Sequence, residues 1–208
     1  GSLLDYAFQA RVMNSAEYGA AQIRKRVILI GHHRDLDFPG FPEVDDRYRS
    51  RVNWRTLRQA LAGLEYHVRA TDLPSRQVDV LGRSMPGMFR GAELHVGRRY
   101  EQLSIDRFRS IPEGGNRFDL PEHLKAHCWR NHTTGSGDVM GRLWWDRPSV
   151  TIRTEFFKPE KGRYLHPTEN RAITHLEAAR IQGFRDDYQW VGSKTAIAKQ
   201  IGNAVPIP

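Results

Sequence analysis

Hydrophobic positions cluster in short segments near the two ends of the chain, and long polar stretches separate them. The stretch Phe8 to Met13 alternates loosely, which is typical of a strand, and the run Val27 to Ile30 ends at Gly31. A continuous β-branched run predicts a strand that is buried on both faces, as in an α/β sheet. The chain therefore begins with a strand–loop–strand unit of a larger sheet.

The clearest helix signals lie in the last forty residues. Thr174 is followed three positions later by Glu177, a spacing that predicts a capping box, in which each side chain bonds the other residue's backbone amide. This helix should end at Gly183, because glycine readily leaves the helical conformation. A final helix is predicted over residues 193–203.

The middle of the chain is less regular. Asn53 is predicted to cap a helix that ends near Gly63. From Asp72 to Gly141, glycine and proline recur among many arginines, which indicates long loops shaped by a ligand. Three short elements interrupt or follow these loops: helical pieces at 104–109 and 121–125, and an alternating strand at 150–154.

The charge of the chain indicates a polyanionic partner. Its 208 residues include 32 Lys and Arg against 24 Asp and Glu, a net charge of +8, and only six of the basic residues are lysine. Arginine pairs bidentately with phosphate and with the major-groove edge of guanine. The alternative is an ordinary solvated surface from an organism whose codons favour arginine.

A single cysteine excludes a disulfide framework and is compatible with a reducing cytosol. Cys128 lies close to His123, His127 and His132, which are residue types that bind zinc. Their spacing matches no common zinc module, and a chain with nine histidines forms such clusters by accident. We therefore predict no metal site.

One polar pattern precedes the second predicted strand. Gln22, Arg24 and Arg26 occupy alternate positions, so their side chains should point to one side. Two guanidiniums and an amide on one surface could hold a phosphate or a carbonyl oxygen. An ordinary basic strand edge is the alternative.

Four segments in order resemble one known family. AEYGAAQIRKRVILIG, GRLWWDRPSVTIRTEF, RAITHLEAARIQGF and QIGNAVP are similar to motif VIII, the end of the target-recognition domain, motif IX and motif X of the cytosine-5 DNA methyltransferases. The resemblance implies an α/β fold: the carboxy-terminal piece of a Rossmann-like, S-adenosylmethionine-dependent methyltransferase sheet plus an irregular, mixed target-recognition domain. It also implies three parts: 3–36 with motif VIII, 37–168 for target recognition, and 169–208 with motifs IX and X.

The resemblance also assigns roles to residues. Arg26 would contact O2 of a flipped-out cytosine, supported by Arg24 and Gln22, and such a pocket must offset the cost of extruding the base. The S-adenosylmethionine site would be lined by Asn203, Ala204 and Val205. Motif IX would be architectural, acting through Arg171, Glu177 and Arg180.

Three residues near the end of the recognition segment are candidates for contacting double-stranded DNA. Thr151 corresponds to the family's threonine in a Thr-Ile/Leu pair, and Arg142 and Arg153 flank it. The two arginines are expected to bind guanine or phosphate. A role at phosphate alone, or at the surface, is the alternative for either one.

The motifs that carry the chemistry in this family have no counterpart here. Cys128 follows His127 rather than a proline, and the chain contains neither Glu-Asn-Val nor Phe-x-Gly-x-Gly. We expect a cytoplasmic, nucleoid-associated bacterial protein that is inactive without an amino-terminal half or partner subunit carrying those motifs. The alternatives are a non-catalytic, sequence-specific DNA-binding relative and an RNA-directed family member.

Overall fold

The computed structural model describes residues 2–130 and 134–206, and it has a mixed α/β architecture built from small sheets and short helices. In chain order the elements are β1 (Tyr6–Asn14), β2 (Lys25–His33), α1 (Leu57–Ala60), β3 (Gln77–Val80), β4 (Arg83–Arg90), α2 (Gln102–Ser110), α3 (His127–Arg130), β5 (Gly141–Arg142), β6 (Arg163–Leu165), α4 (His175–Ile181), β7 (Gln189–Val191) and α5 (Lys194–Asn203). None of the helices described is long and apolar enough to cross a bilayer.

Strands β1 and β2 form an antiparallel two-stranded sheet, with Tyr6 opposite His33 and Asn14 opposite Lys25. The predicted first strand is confirmed, but the prediction that β2 is buried on both faces is wrong. Val27 is 67% exposed and Leu29 is 62% exposed. Within the described residues, β2 pairs only with β1, so its apolar side chains remain in contact with solvent.

The second sheet joins the middle of the chain to its carboxy-terminal part. Its strand order is β3-β4-β7, with antiparallel pairs throughout, and the sequence analysis missed it. The β3–β4 turn places Leu81 at φ 52° and Gly82 at φ 74°, two positive values that suit the right-handed twist of a hairpin. An Asn-Gly or Asp-Gly pair is the usual sequence signal for such a turn, and leucine gives no such signal.

Helices α4 and α5 pack into the main core, and both were predicted. Thr174 Oγ1 accepts from the Glu177 amide at 3.1 Å, and the Thr174 amide donates to the Glu177 carboxylate at 2.7 Å, so the capping box is confirmed. Ser193 caps α5, and Gly183 follows α4 at φ 86°. The largest fully buried core side chains include Trp190, Tyr164, Phe89, Phe156, Leu143 and Ile152.

One predicted helix start and one predicted strand were wrong. Thr56, not Asn53, caps α1, because the Thr56 side chain accepts from Gln59 and Gln59 bonds back to the Thr56 amide. The predicted strand at 150–154 does not form: the parallel bridge to Gln22 is made by the preceding Ser149, and Thr154 already lies in a turn. The helical pieces at 104–109 and 121–125 are confirmed as α2 and as a 3-10 turn at Glu122–Leu124.

A buried ion pair connects the middle of the chain to the start of α4. Arg171 donates to both carboxylate oxygens of Glu177, at 2.8 and 2.7 Å, and also to the Tyr66 carbonyl at 2.7 Å. Burial alone would raise the pKa of Glu177, but the hydrogen bonds and charge of Arg171 outweigh it and hold that pKa below its usual range. Arg180 adds a bond to the Ala62 carbonyl at 3.0 Å, so two arginines hold the 62–66 segment against α4.

Two histidines in this core make the stability depend on pH. Burial lowers the pKa of His175 and of His166 to about 4, from the ordinary 6.5. Below pH 6.5 the unfolded chain therefore binds protons that the folded chain does not bind. The free energy of unfolding is highest above pH 6.5 and decreases as the pH falls towards 4.

We predict that the free energy of unfolding drops by about 2 kcal/mol per buried histidine between pH 7.5 and pH 5, measured by urea denaturation. His175→Gln keeps a donor for the Lys194 carbonyl, which His175 Nε2 contacts at 2.9 Å, and removes one titrating group. The free energy of unfolding of His175→Gln should therefore decrease less between pH 7.5 and pH 5 than that of the unchanged chain. His67→Gln, at an exposed position, is the control for replacing a histidine, and an unchanged drop in His175→Gln would contradict the assignment.

Candidate functional site

Gln22 is fully buried and connects three distant segments. Its Nε2 donates to Gln182 Oε1 at 2.8 Å, and its Oε1 accepts from the Ile152 amide at 2.7 Å. Gln182, the C-cap of α4, in turn donates to the Ile201 carbonyl at 2.6 Å. Gln22, the first of the three polar residues before β2, therefore stabilises the fold through internal hydrogen bonds.

Arg24 completes the same network. It is 5% exposed, and it donates from Nη1 to the Ile152 carbonyl at 2.9 Å and from Nη2 to the Gly202 carbonyl at 3.1 Å. The approach at Gly202 is close, since an added Cβ there would lie 2.4 Å from the Thr154 amide. Arg24 thus supports the site by joining the start of β2, the 152–154 segment and α5.

Arg26 lies in a different environment from its two neighbours. It is exposed, and its hydrogen bond is to the carbonyl of the preceding Lys25, at 2.7 Å. The prediction that all three polar side chains converge on one surface is therefore wrong: Gln22 and Arg24 are consumed by internal contacts. Within the described residues, Arg26 forms no ion pair, and its guanidinium is available to a ligand.

The end of α5 presents the predicted cofactor residues at the surface. Asn203 is exposed, Ala204 is half-buried and Val205 is 48% exposed. Gln182 holds this turn by donating to the Ala204 carbonyl at 3.3 Å. An exposed amide beside an exposed apolar side chain fits one wall of a site for a ligand that combines charged and apolar parts, as S-adenosylmethionine does.

Thr151 and Arg153 line a cleft with a volume of about 720 Å³, here called the basic cleft. Thr151 Oγ1 donates to the Ile23 carbonyl at 2.9 Å, which fixes the cleft against the segment that leads into β2. Its charged lining residues are Arg51, Asp138, Arg147, Arg153, Lys161 and Arg163. Sequence reasoning identified Arg153 but missed Arg51 and Arg147.

The positive charge of the basic cleft is poorly compensated. Its one carboxylate, Asp138, lies 3.4 Å from Arg163, which also donates to the carbonyls of Gly114, Gly115 and Arg142. The exposed guanidiniums of Arg51, Arg147 and Arg153 make neither an ion pair nor a hydrogen bond within the part of the chain that the structure describes. An anion is the ligand that this arrangement favours.

The expectation that Arg142 contacts guanine or phosphate is wrong. Arg142 is 3% exposed, and its three guanidinium nitrogens donate at 2.5–3.2 Å to the Ile111, His166, Glu169 and Phe108 carbonyls and to Asn170 Oδ1. No guanidinium donor is left for a ligand. Arg142 is a structural residue that joins β5 to α2 and to the 166–170 loop.

The sequence cluster around Cys128 lies partly outside the described residues. Among residues 2–130 and 134–206, no group of three or more histidine, cysteine, aspartate or glutamate side chains is placed to hold a metal ion. His132, the fourth residue of the sequence cluster, lies outside the described residues. Cys128 is exposed on α3.

Comparison with known families gives a match over nearly the whole chain. The profile of C-5 cytosine-specific DNA methylases matches residues 2–208. Among solved structures, one described as a DNA modification methyltransferase encoded within an Escherichia coli prophage has a TM-score of 0.61 and 21% identity, and the match covers 98% of this chain and 57% of that one. At that identity, the likeness supports the α/β methyltransferase fold.

The curated relatives are longer than this chain. The type II methylase M.HgiDII of Herpetosiphon aurantiacus is 30% identical over 98% of this chain and 53% of its own length. The type II methyltransferase M.Eco47II of Escherichia coli is 30% identical over 96% of this chain and 43% of its own length. DNA (cytosine-5)-methyltransferase 2 of Arabidopsis thaliana is 28% identical, and the match covers 17% of its length. The chain thus spans about half the length of these bacterial relatives.

We predict that the buried network around Gln22 and Arg24 stabilises the fold. The lysine of Arg24→Lys cannot reach both carbonyls that Arg24 contacts. Gln22→Leu removes the acceptor of the Ile152 amide and the donor to Gln182 Oε1. Each change should lower the free energy of unfolding by about 1–3 kcal/mol. Urea denaturation measures the effect. The exposed Arg26→Lys is the matched control and should change stability by less than about 0.5 kcal/mol. Equal stabilities for Arg24→Lys and Arg26→Lys would show that the network is unimportant.

Proposed function

The chain belongs to the C-5 cytosine-specific DNA methylases, and from that premise we propose that it forms the carboxy-terminal part of an enzyme that methylates a cytosine in duplex DNA. Members of this family take the methyl group from S-adenosylmethionine. The observation that carries the proposal is the contrast within one short segment, where Gln22 and Arg24 are buried and Arg26 is left exposed.

Arg24 links two parts of the proposed site. Its bond to the Gly202 carbonyl ties the strand that carries Arg26 to the helix end that carries Asn203. The proposal needs the cytosine pocket and the methyl-donor site to adjoin, since the methyl group must reach the base.

Arg26 would act on the extruded base. Its guanidinium donates to cytosine O2, which offsets part of the few kcal/mol lost when a base leaves the stack. A fixed positive charge at O2 also stabilises the negative charge that develops on the ring when a nucleophile attacks it. Gln22 and Arg24 are positioning residues, because their contacts are internal. Bound S-adenosylmethionine would supply the electrophilic methyl group, with Asn203, Ala204 and Val205 along one side.

The nucleophile belongs to a partner. The chain contains no Pro-Cys pair, no Glu-Asn-Val and no Phe-x-Gly-x-Gly, and we propose that an amino-terminal half or separate subunit carries them. The exposed β1–β2 sheet supports this, because Phe8 and Val12 on β1 are 51% and 65% exposed alongside Val27 and Leu29 on β2. The register puts these four side chains on one face of the sheet, and covering that face in a larger assembly would stabilise it.

Residues 37–168 would form the target-recognition domain, bounded by 3–36 and 169–208. The basic cleft lies mainly in this segment, and Arg51, Arg147 and Arg153 are its uncompensated cations. Double-stranded DNA is the polyanion that the family acts on, and the net charge of +8 favours its binding. Thr151 shapes the cleft through its bond to Ile23, while Arg153 is exposed for contact.

We predict that the purified chain alone transfers no methyl group from tritiated S-adenosylmethionine to duplex DNA. Co-expression with a chain that carries the three missing motifs, encoded in the same gene or an adjacent one, should restore transfer. Replacing the cysteine of the partner's Pro-Cys pair by serine is the control and should abolish it.

Two outcomes of that experiment would overturn the proposal. Methyl transfer by the isolated chain would refute its dependence on a partner. If the partnered assembly bound duplex DNA but transferred no methyl group, the non-catalytic DNA-binding alternative would replace it.

A further inference from the structure

The basic cleft has dimensions suited to a nucleotide rather than to a duplex. Its volume of about 720 Å³ falls within the range of roughly 300–1,000 Å³ that is common for small-molecule sites. The major groove of B-DNA is itself about 12 Å wide, so a whole duplex lies across the mouth of such a cleft and does not enter it. Whatever fills the cleft must project from a strand or be small.

Two half-buried tryptophans line the cleft and are held firmly in place. Trp54 Nε1 donates to the Tyr48 carbonyl at 3.0 Å. The Trp144 indole packs against Gly114, where an added Cβ would lie 1.9 Å from Trp144 Nε1. Fixed aromatic rings in a positively charged groove are the usual platform for unstacked bases, because every base has a π-face.

Two of the uncompensated arginines lie over these rings. The guanidinium of Arg147 is 5.0 Å from the centre of the Trp144 ring, which also has that of Arg163 at 4.3 Å, and the guanidinium of Arg51 is 5.6 Å from the centre of the Trp54 ring. Bases also stack on guanidinium planes, so an Arg–Trp pair can be extended by one more flat group. Phosphate alone accounts for the arginines but not for the two indoles beneath them.

We propose that the basic cleft binds one DNA nucleotide whose base has left the duplex stack. The base lies against the Trp144–Arg147 pair, and Arg51 and Arg153 bind the flanking phosphates. This inference rests on the proposed function, because DNA is the polymer that presents the nucleotide.

The nucleotide is distinct from the target cytosine. Arg26, the residue proposed to contact the cytosine, does not line the cleft. Extruding one base leaves its partner unpaired, and an unpaired base costs less to displace than a paired one. A second site nearby therefore lowers the total cost of opening the duplex.

The test compares labelled oligonucleotides by fluorescence anisotropy with the full chain. A duplex carrying one unpaired adenosine should bind about tenfold more tightly than the same fully paired duplex. A duplex with an abasic residue at that position keeps the phosphates and lacks the base, so it should lose the advantage. Deoxyadenosine 5′-monophosphate is added as a competitor to test whether the cleft binds a free nucleotide instead of one carried by a strand. Millimolar competitor is expected to leave the bulged duplex bound, because the flanking phosphates of the strand contribute to binding.

Two matched variants locate the effect. Trp144→Leu should remove the preference for the bulged duplex, whereas Trp129→Leu, at a half-buried tryptophan that also lies beneath an arginine but outside the cleft, should keep it. Equal affinity for the unpaired-adenosine and abasic duplexes overturns the inference, and this comparison needs no variant to fold. If fully paired duplex binds while the bulge gives no gain, only this inference fails. If neither the chain nor its partnered assembly binds DNA, the proposed function fails with it.

Discussion

The arrangement of this protein depends on two buried polar side chains at the entrance to β2. Gln22 and Arg24 reach Ile152, Gln182 and Gly202, which are 128 to 178 residues away along the chain. A buried amide or guanidinium is costly unless all of its partners are present, so these bonds specify one packing of the segments they join. That packing determines where the exposed residues next to them, Arg26 and Asn203, are held. The proposed chemistry is therefore set by contacts that never touch a substrate.

Arginine serves two opposite purposes in this chain, and burial separates them. Arg24, Arg142, Arg163 and Arg171 are nearly buried and donate to backbone carbonyls or to a carboxylate, so they act as internal supports for irregular segments. A fork of five donors suits that task, because loops leave many carbonyls without a ladder partner. Arg51, Arg147 and Arg153 are exposed, and within the described residues their guanidiniums make no hydrogen bond or ion pair, so their donors are available to an anion. The high arginine content thus reflects a loop-rich fold and fits the proposed nucleic-acid partner.

Local signals in the sequence predicted α4 and α5, because capping is a contact between near neighbours. Thr174 with Glu177, and Ser193 at the start of α5, were identified from spacing alone. The sequence could not show that β2 lacks cover within the described chain, since the burial of a strand depends on residues far away or on other chains. It could not separate Arg142 from Arg147 either: both are arginines in the same segment, and only their surroundings decide which one is free. The β3–β4 hairpin was missed because leucine is a rare residue at a positive φ.

Arg26 is proposed to serve catalysis and not duplex binding, and a comparison of two alanine variants separates these roles. Methyl transfer and duplex affinity are measured on the partnered assembly with Arg26→Ala and with its exposed neighbour Lys25→Ala. Arg26→Ala is expected to lower turnover about 100-fold or more, as loss of a charge-stabilising donor does, with duplex affinity changed less than about threefold. Lys25→Ala should leave turnover nearly unchanged. Normal turnover in Arg26→Ala, or a loss of turnover fully explained by lost duplex binding, would show that Arg26 has no catalytic role.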